Sequence, residues 1–168
     1  MSPRALRVVV ADDERPARAF LVDLLRSCDA VHVAGEAGSG EEAVSVIEFA
    51  RPDLALLDLR MPEMGGLDVV RQLPPGAIPL VAFVTAFDDY AVDAFELNAI
   101  DYLLKPVARP RLGRTLQRAR ERLGPVDPVD SRSRSRPDPT LSYEPSAQSL
   151  SLRRIPIRRR GSDWADGS

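Results

Sequence analysis

The stretch LALLDLRMPEMGG, Leu54 to Gly66, begins as an unbroken apolar run, meets a carboxylate at Asp58 and then breaks into Met, Pro and paired glycines. A short segment that is apolar at every position fits a strand covered on both faces, as in a parallel sheet with helices on either side. The break after Asp58 fits a loop that turns sharply or passes close to another backbone, where a residue without a side chain is needed. The same alternation extends in both directions. Strands are expected at Leu6 to Ala11, Val31 to Ala37, Leu54 to Leu57, Leu80 to Val84 and Tyr102 to Leu104. Segments of helical period separate them: Pro16 to Cys28, Gly40 to Ala50, Leu67 to Leu73, Asp89 to Leu97 and Arg109 to Leu123. Pro16 suits a first helical turn, where its missing N–H costs nothing. Five such units give an α/β fold, a five-stranded parallel, doubly wound sheet in a three-layer sandwich.

Composition sets the frame for this reading. Apolar residues at 44% and charged residues at 29% place the 168-residue chain among globular proteins, long enough for one domain and a tail. The net charge of -2 conceals an asymmetry. Residues 1–124 carry 15 basic and 19 acidic side chains, and the remainder carries 8 and 6. Cys28 is the single cysteine and falls at helical spacing from Leu21, Leu24 and Leu25, so it is expected to be a core thiol in a reducing, cytoplasmic setting. The apolar run Val8 to Ala11 meets Asp12, Asp13 and Glu14 too soon to be a signal peptide, and no segment is long enough to span a membrane. His32 stands in an alternating strand pattern and carries no expected role. Of 23 cations 22 are arginine; the exception is Lys105. A site that requires a compact, flexible ammonium cannot use a wide planar guanidinium instead.

In open α/β sheets, ligands bind beyond the carboxyl ends of the strands, near the point where strand order reverses. Five polar residues are expected at that edge: Asp12 and Asp13 after the first strand, Asp58 after the third, Thr85 after the fourth and Lys105 after the fifth. Any one of them could be a turn residue. Their arrival from four separate strands points to a site. Converging carboxylates repel, by about 4 kcal/mol for a pair at 4 Å in an effective dielectric near 20. A divalent ion with oxygen ligands relieves this, and Mg²⁺ in particular is held by one or two carboxylates, waters and a substrate phosphate. Beside such an ion and Lys105, Asp58 could act as a nucleophile toward phosphorus and form an acyl phosphate, with Thr85 donating its hydroxyl to a phosphoryl oxygen. Met61 and Met64 are expected to pack rather than to bind.

With these residues in place, VVVADDE, PDLALLDLRMPEMGGLDV, FVTAF and DYLLKP together resemble the response-regulator receiver domains of bacterial two-component signalling. The resemblance covers residues 6 to about 122 and implies a flavodoxin-like receiver fold over residues 1–123. It implies that Asp58 accepts a phosphoryl group from a phosphohistidine on a sensor histidine kinase. It further implies that Asp13 binds Mg²⁺ directly, Asp12 at least partly through water, and the backbone carbonyl of Arg60 as a further ligand. Thr85 and Lys105 would contact the phosphoryl oxygens, Tyr102 would be the aromatic switch partner of Thr85, and the Lys105-Pro106 bond would be cis. The switch would act on a partner, or on a homodimer, through the surface of the fourth expected helix and the fifth strand.

The segment VTAFDDYAVDAFELNAIDYLLKPV is similar to receivers coupled to LytTR-type DNA-binding domains, and RIPIRRRG near the end resembles the opening strand of such a domain. Between them, residues 124–148 are rich in Pro, Ser and Arg and read as a linker, part of a disordered C-terminal tail. Residues 149–168 are too few for a complete LytTR domain and read as its remnant, from a truncation, a frameshift or a fragment, so specific DNA binding is expected only where the whole domain is present. Two other functions compete. A stand-alone Mg²⁺-dependent aspartyl phosphohydrolase would place a second acid two residues after its nucleophile to protonate the leaving group, and Arg60 stands there instead. The arginines at 153, 154 and 158–160 could give salt-sensitive, non-specific DNA affinity. The expected function is that of a phospho-acceptor switch and not of an enzyme.

Overall fold

The computed structural model describes residues 4–86 and 96–125. Most of the helix expected at Asp89 to Leu97, and the tail beyond Pro125, lie outside the described residues. Within them the order is β1 (Leu6–Ala11), α1 (Arg15–Arg26), β2 (Val31–Ala37), α2 (Gly40–Ala50), β3 (Leu54–Asp58), α3 (Gly66–Gln72), a 3₁₀ turn (Pro75–Ala77), β4 (Leu80–Thr85), β5 (Asp101–Leu104) and α4 (Arg109–Leu123). All neighbouring strands are parallel, in the order β2-β1-β3-β4-β5. This is the flavodoxin-like doubly wound arrangement, whose switch point lies between β1 and β3.

The apolar strands alternate between two cores, as a sheet covered on both faces requires. Leu6, Val8 and Val10 of β1, Leu54 and Leu56 of β3, Ala82 and Val84 of β4 and Leu103 of β5 face a cluster closed by Leu21, Val22 and Leu25 of α1 and Leu112, Leu116 and Ala119 of α4. The intervening Val9, Ala11, Ala55, Leu57, Val81 and Phe83 face the second cluster, closed by Ala43 and Ile47 of α2 and Val69 and Val70 of α3. Asp58 and Thr85 are the last residues of their strands rather than the first beyond them, and both lie in the ladder, opposite Val84 and Leu104 respectively. The strand ends therefore fix their backbones directly. Helix α1 stops at Arg26, before Cys28, because Ser27 and Cys28 turn back on Leu24 by side-chain hydrogen bonds and Ala30 takes a left-handed φ of 54°. Cys28 packs, half-buried, against the α1/α4 cluster. The 3₁₀ turn was not expected; it begins at the second proline of Leu73-Pro74-Pro75-Gly76-Ala77, ahead of β4.

The loop after β3 departs from the simplest reading of its glycines. Gly65 has an ordinary φ of -78°, and the left-handed residue of the loop is Glu63, at 67°. The glycines serve close approach. A Cβ on Gly65 would collide with the carbonyl oxygen of Leu59, and one on Gly66 would lie 2.6 Å from the carbonyl oxygen of Asp58. Met61 is buried and Met64 packs on the same α2/α3 cluster, which anchors the loop from below. His32 is exposed on β2. No helix among the described residues is long and apolar enough to cross a membrane.

Candidate functional site

The switch point brings together the ends of β1 and β3, and β5 delivers Lys105 to the same place. Oxygens of Asp12, Asp13 and Asp58 lie within 4.8 Å of one another; Asp12 and Asp58 are buried and Asp13 is exposed. The Lys105 ammonium donates to Asp12 Oδ2 at 2.6 Å and to Asp58 Oδ2 at 2.9 Å. The other Asp58 oxygen, Oδ1, accepts the Arg60 backbone N–H at 3.0 Å, and Asp12 Oδ1 accepts that of Glu14 at 2.9 Å. Thr85 is fully buried, and its carbonyl accepts the Lys105 N–H at 2.8 Å, so the lysine backbone is tied to the end of β4. The Lys105-Pro106 peptide bond is cis. Tyr102 is half-buried on β5 and packs against the α2/α3 cluster.

The electrostatics follow from this crowding. Burial raises the pKa of Asp58 above the ordinary carboxylate value, opposed by the Lys105 hydrogen bond and the Arg60 N–H and assisted by the negative charge of Asp12. For Lys105 burial works against the charge, but the hydrogen bonds to Asp12 and Asp58 outweigh it and the pKa is raised. The ammonium thus remains charged between two carboxylates. One cation against three acids leaves an excess of negative charge. The donors are hard carboxylate oxygens, with one acid facing solvent, a set that suits a hard divalent ion and admits it from outside.

Two polar arrangements, one beside the site and one at the opposite end of β5, were not legible beforehand. Arg18 on α1 donates from Nη1 to the backbone carbonyl of Asp12 at 2.5 Å, with Nε 3.6 Å from Glu36 Oε2 on β2. The signal for it was a cation on the buried stripe of the helix, three and four residues before Leu21 and Val22. On β5, Asp101 is buried and accepts from Arg111 Nη1 at 2.7 Å, from the Thr115 hydroxyl at 2.8 Å and from the Tyr102 N–H at 2.9 Å, with Arg118 at 3.2 Å. Its sign was Thr115, a hydroxyl on the otherwise apolar face of α4.

Comparison with known proteins agrees with the fold. Residues 8–117 match the response regulator receiver domain, and the chain belongs to that family. The transcriptional regulatory protein BtsR of Salmonella typhi is 43% identical over 116 residues, 69% of this chain and 48% of that protein. A response regulatory protein of Shewanella oneidensis, named as uncharacterized, is 37% identical over 152 residues, 89% of this chain and 61% of the relative. Among solved structures, the response regulator domain of Thermotoga maritima CheB superposes with a TM-score of 0.64 at 28% identity, covering 74% of this chain and all of that one. The chain spans about half the length of curated relatives such as BtsR.

Proposed function

We propose that this chain is a phosphorelay switch in which Asp58 accepts a phosphoryl group from the phosphohistidine of a sensor histidine kinase, in a Mg²⁺-dependent reaction. The observation that carries the proposal is the acid trio at the switch point, two of whose members, Asp12 and Asp58, are bridged by the lone lysine of the chain. In this reading Asp13, Asp58 and the Arg60 carbonyl hold the ion directly, and Asp12 does so at least partly through water. When bound, Mg²⁺ neutralises the excess negative charge that would otherwise repel a phosphoryl donor. An Asp58 carboxylate oxygen forms a bond to phosphorus as the phosphorus–nitrogen bond of the donor breaks, and the departing imidazole keeps the electron pair. The Lys105 ammonium then pairs with the new phosphoryl charge, and the Thr85 hydroxyl donates to a phosphoryl oxygen. These contacts exist only in the phosphorylated state, so they shift a two-state equilibrium in which Tyr102 takes part. The output is a partner or homodimer contact through β5 and the segment Asp89 to Leu97.

The domain division that accompanies this reading is a receiver at residues 1–123, a linker at 124–148 and, at 149–168, a remnant of a LytTR-like DNA-binding domain that does not fold independently. The Shewanella alignment supports such continuity, since it covers 89% of this chain and so extends past residue 124. Transcriptional control is the output by analogy with BtsR. Phosphohydrolase chemistry is disfavoured because Arg60 occupies the place of the second acid. Incubation with acetyl phosphate, followed by intact-mass spectrometry, tests the proposal. One phosphoryl group should be added with Mg²⁺ present, none with EDTA and none in Asp58→Asn. Labelling that persists in Asp58→Asn, or steady turnover of p-nitrophenyl phosphate, overturns it.

A further inference from the structure

Arg18 lies where the buried stripe of α1 meets the acidic site, and its side chain is only 18% exposed. The Asp12 carbonyl that accepts its Nη1 belongs to the peptide unit joining Asp12 to Asp13. Among the described residues that unit has few other restraints. The Asp12 N–H is held by the Ala37 carbonyl at 3.1 Å on one side, and the Glu14 N–H bonds Asp12 Oδ1 on the other, but between them the Asp12–Asp13 peptide plane is oriented by the guanidinium. A charge-assisted bond from a half-buried guanidinium is among the stronger restraints available to a loop. Glu36, on the neighbouring strand, steadies the guanidinium in turn. Gly38 leaves room for it, since even a Cβ there would lie 3.4 Å from Nη1.

We propose that Arg18 is a positioning residue for the divalent cation: by fixing the Asp12–Asp13 peptide it makes the two carboxylates converge with Asp58. The inference rests on the reading that this trio holds Mg²⁺. It makes a prediction of sign that simple electrostatics does not. Removing a positive charge beside an acidic cluster should strengthen cation binding; removing a brace that orients two of its ligands should weaken it. Groups outside the ligand shell that orient ligands are typically worth 10- to 100-fold in metal affinity.

The experiment is calorimetric titration of the full chain with MgCl₂ alone, with thermal unfolding of each variant recorded by circular dichroism. Arg18→Ala should weaken Mg²⁺ binding by about tenfold, and Arg18→Lys, which keeps the charge and one donor, should recover part of the loss. Arg120→Ala removes a similar brace at the other end of the molecule, on the carbonyls of Asp29 and Ala30, and should leave the affinity unchanged. Equal or tighter binding by Arg18→Ala overturns the inference. So does equal weakening in Arg120→Ala, or no recovery in Arg18→Lys when both Arg18 variants unfold at the wild-type temperature. Should Arg18→Ala fail to fold, Arg18→Lys decides: wild-type affinity in that variant counts against a role for the planar, forked guanidinium. A wild-type chain that takes up no Mg²⁺ would overturn the metal-site reading itself, a result visible before any variant is measured.

Discussion

Asp58 and Asp101 are equally buried, at 6% and 5% exposure, and both are paired with cations, yet their pKa values move in opposite directions. Burial raises both. At Asp58 burial is opposed by one ammonium and one backbone N–H, with the charge of Asp12 close by, and burial prevails. At Asp101 burial is overcome by hydrogen bonds from Arg111, Thr115 and the Tyr102 N–H, and the carboxyl is held below its ordinary value. Arg111 also reaches the Tyr102 carbonyl at 3.3 Å, so the clamp pins the start of β5 to α4. The lesson is that burial alone does not mark a functional acid. What distinguishes Asp58 is incomplete compensation: like charges crowd it, whereas Asp101 is fully engaged in joining two elements.

The sharpest way to break this comparison is to neutralise each acid. Asp58→Asn should abolish phosphoryl labelling while leaving the urea midpoint at or above that of the wild type, because it relieves repulsion. Asp101→Asn should leave labelling possible but cost about 2 to 3 kcal/mol in urea unfolding, less than a fully enclosed pair because Arg111 can swing into solvent. Similar stability losses in both variants would erase the distinction. Next comes a loop test. Gly66→Ala places a methyl group against the carbonyl of Asp58 and should cost about 1 to 3 kcal/mol, together with a slower labelling rate.

The dependence of stability on pH, in metal-free buffer, should carry opposite signs for the two acids. The folded pKa of Asp101 lies below the ordinary 3.8, so its contribution is complete above pH 3.8 and is lost as pH falls through the depressed value. The folded pKa of Asp58 lies above 3.8, so its contribution is complete below pH 3.8 and is lost as pH rises through the raised value. Urea midpoints of each Asn variant minus wild type, followed across this range, should therefore slope in opposite directions. The smallest effect belongs to Gly113, on the helix that holds the Asp101 clamp. Nothing lies within 4 Å of a Cβ there, so Gly113→Ala should stabilise by about 0.5 to 1 kcal/mol in the same assay.

The readable parts of this molecule were those governed by periodicity. Continuous apolar runs gave the strands because both faces of the sheet are covered, and the polar residue ending each run lay at the switch-point edge because parallel strands all finish there. Long-range pairings were harder to read. Asp101 sits in IDYLL and looks like a turn residue; its partners Arg111 and Thr115 lie across a loop and on another element, and only Thr115 on an apolar helix face hints at them. Arg18 was hidden in the same way, since its acceptor is a backbone carbonyl and backbone carbonyls leave no trace in residue identities. Of the two readings of the loop glycines, close approach holds and the sharp turn does not, since the left-handed residue is Glu63.

Because Lys105 is the only lysine among these 168 residues, the site carries the one side-chain amine of this sequence. The rate at which an amine-selective reagent modifies this ammonium reports directly on how tightly Asp12 and Asp58 hold their shared cation. Occupancy of the pocket can thus be followed by covalent footprinting with a single informative peptide, without a radiolabel, an antibody or an introduced tag.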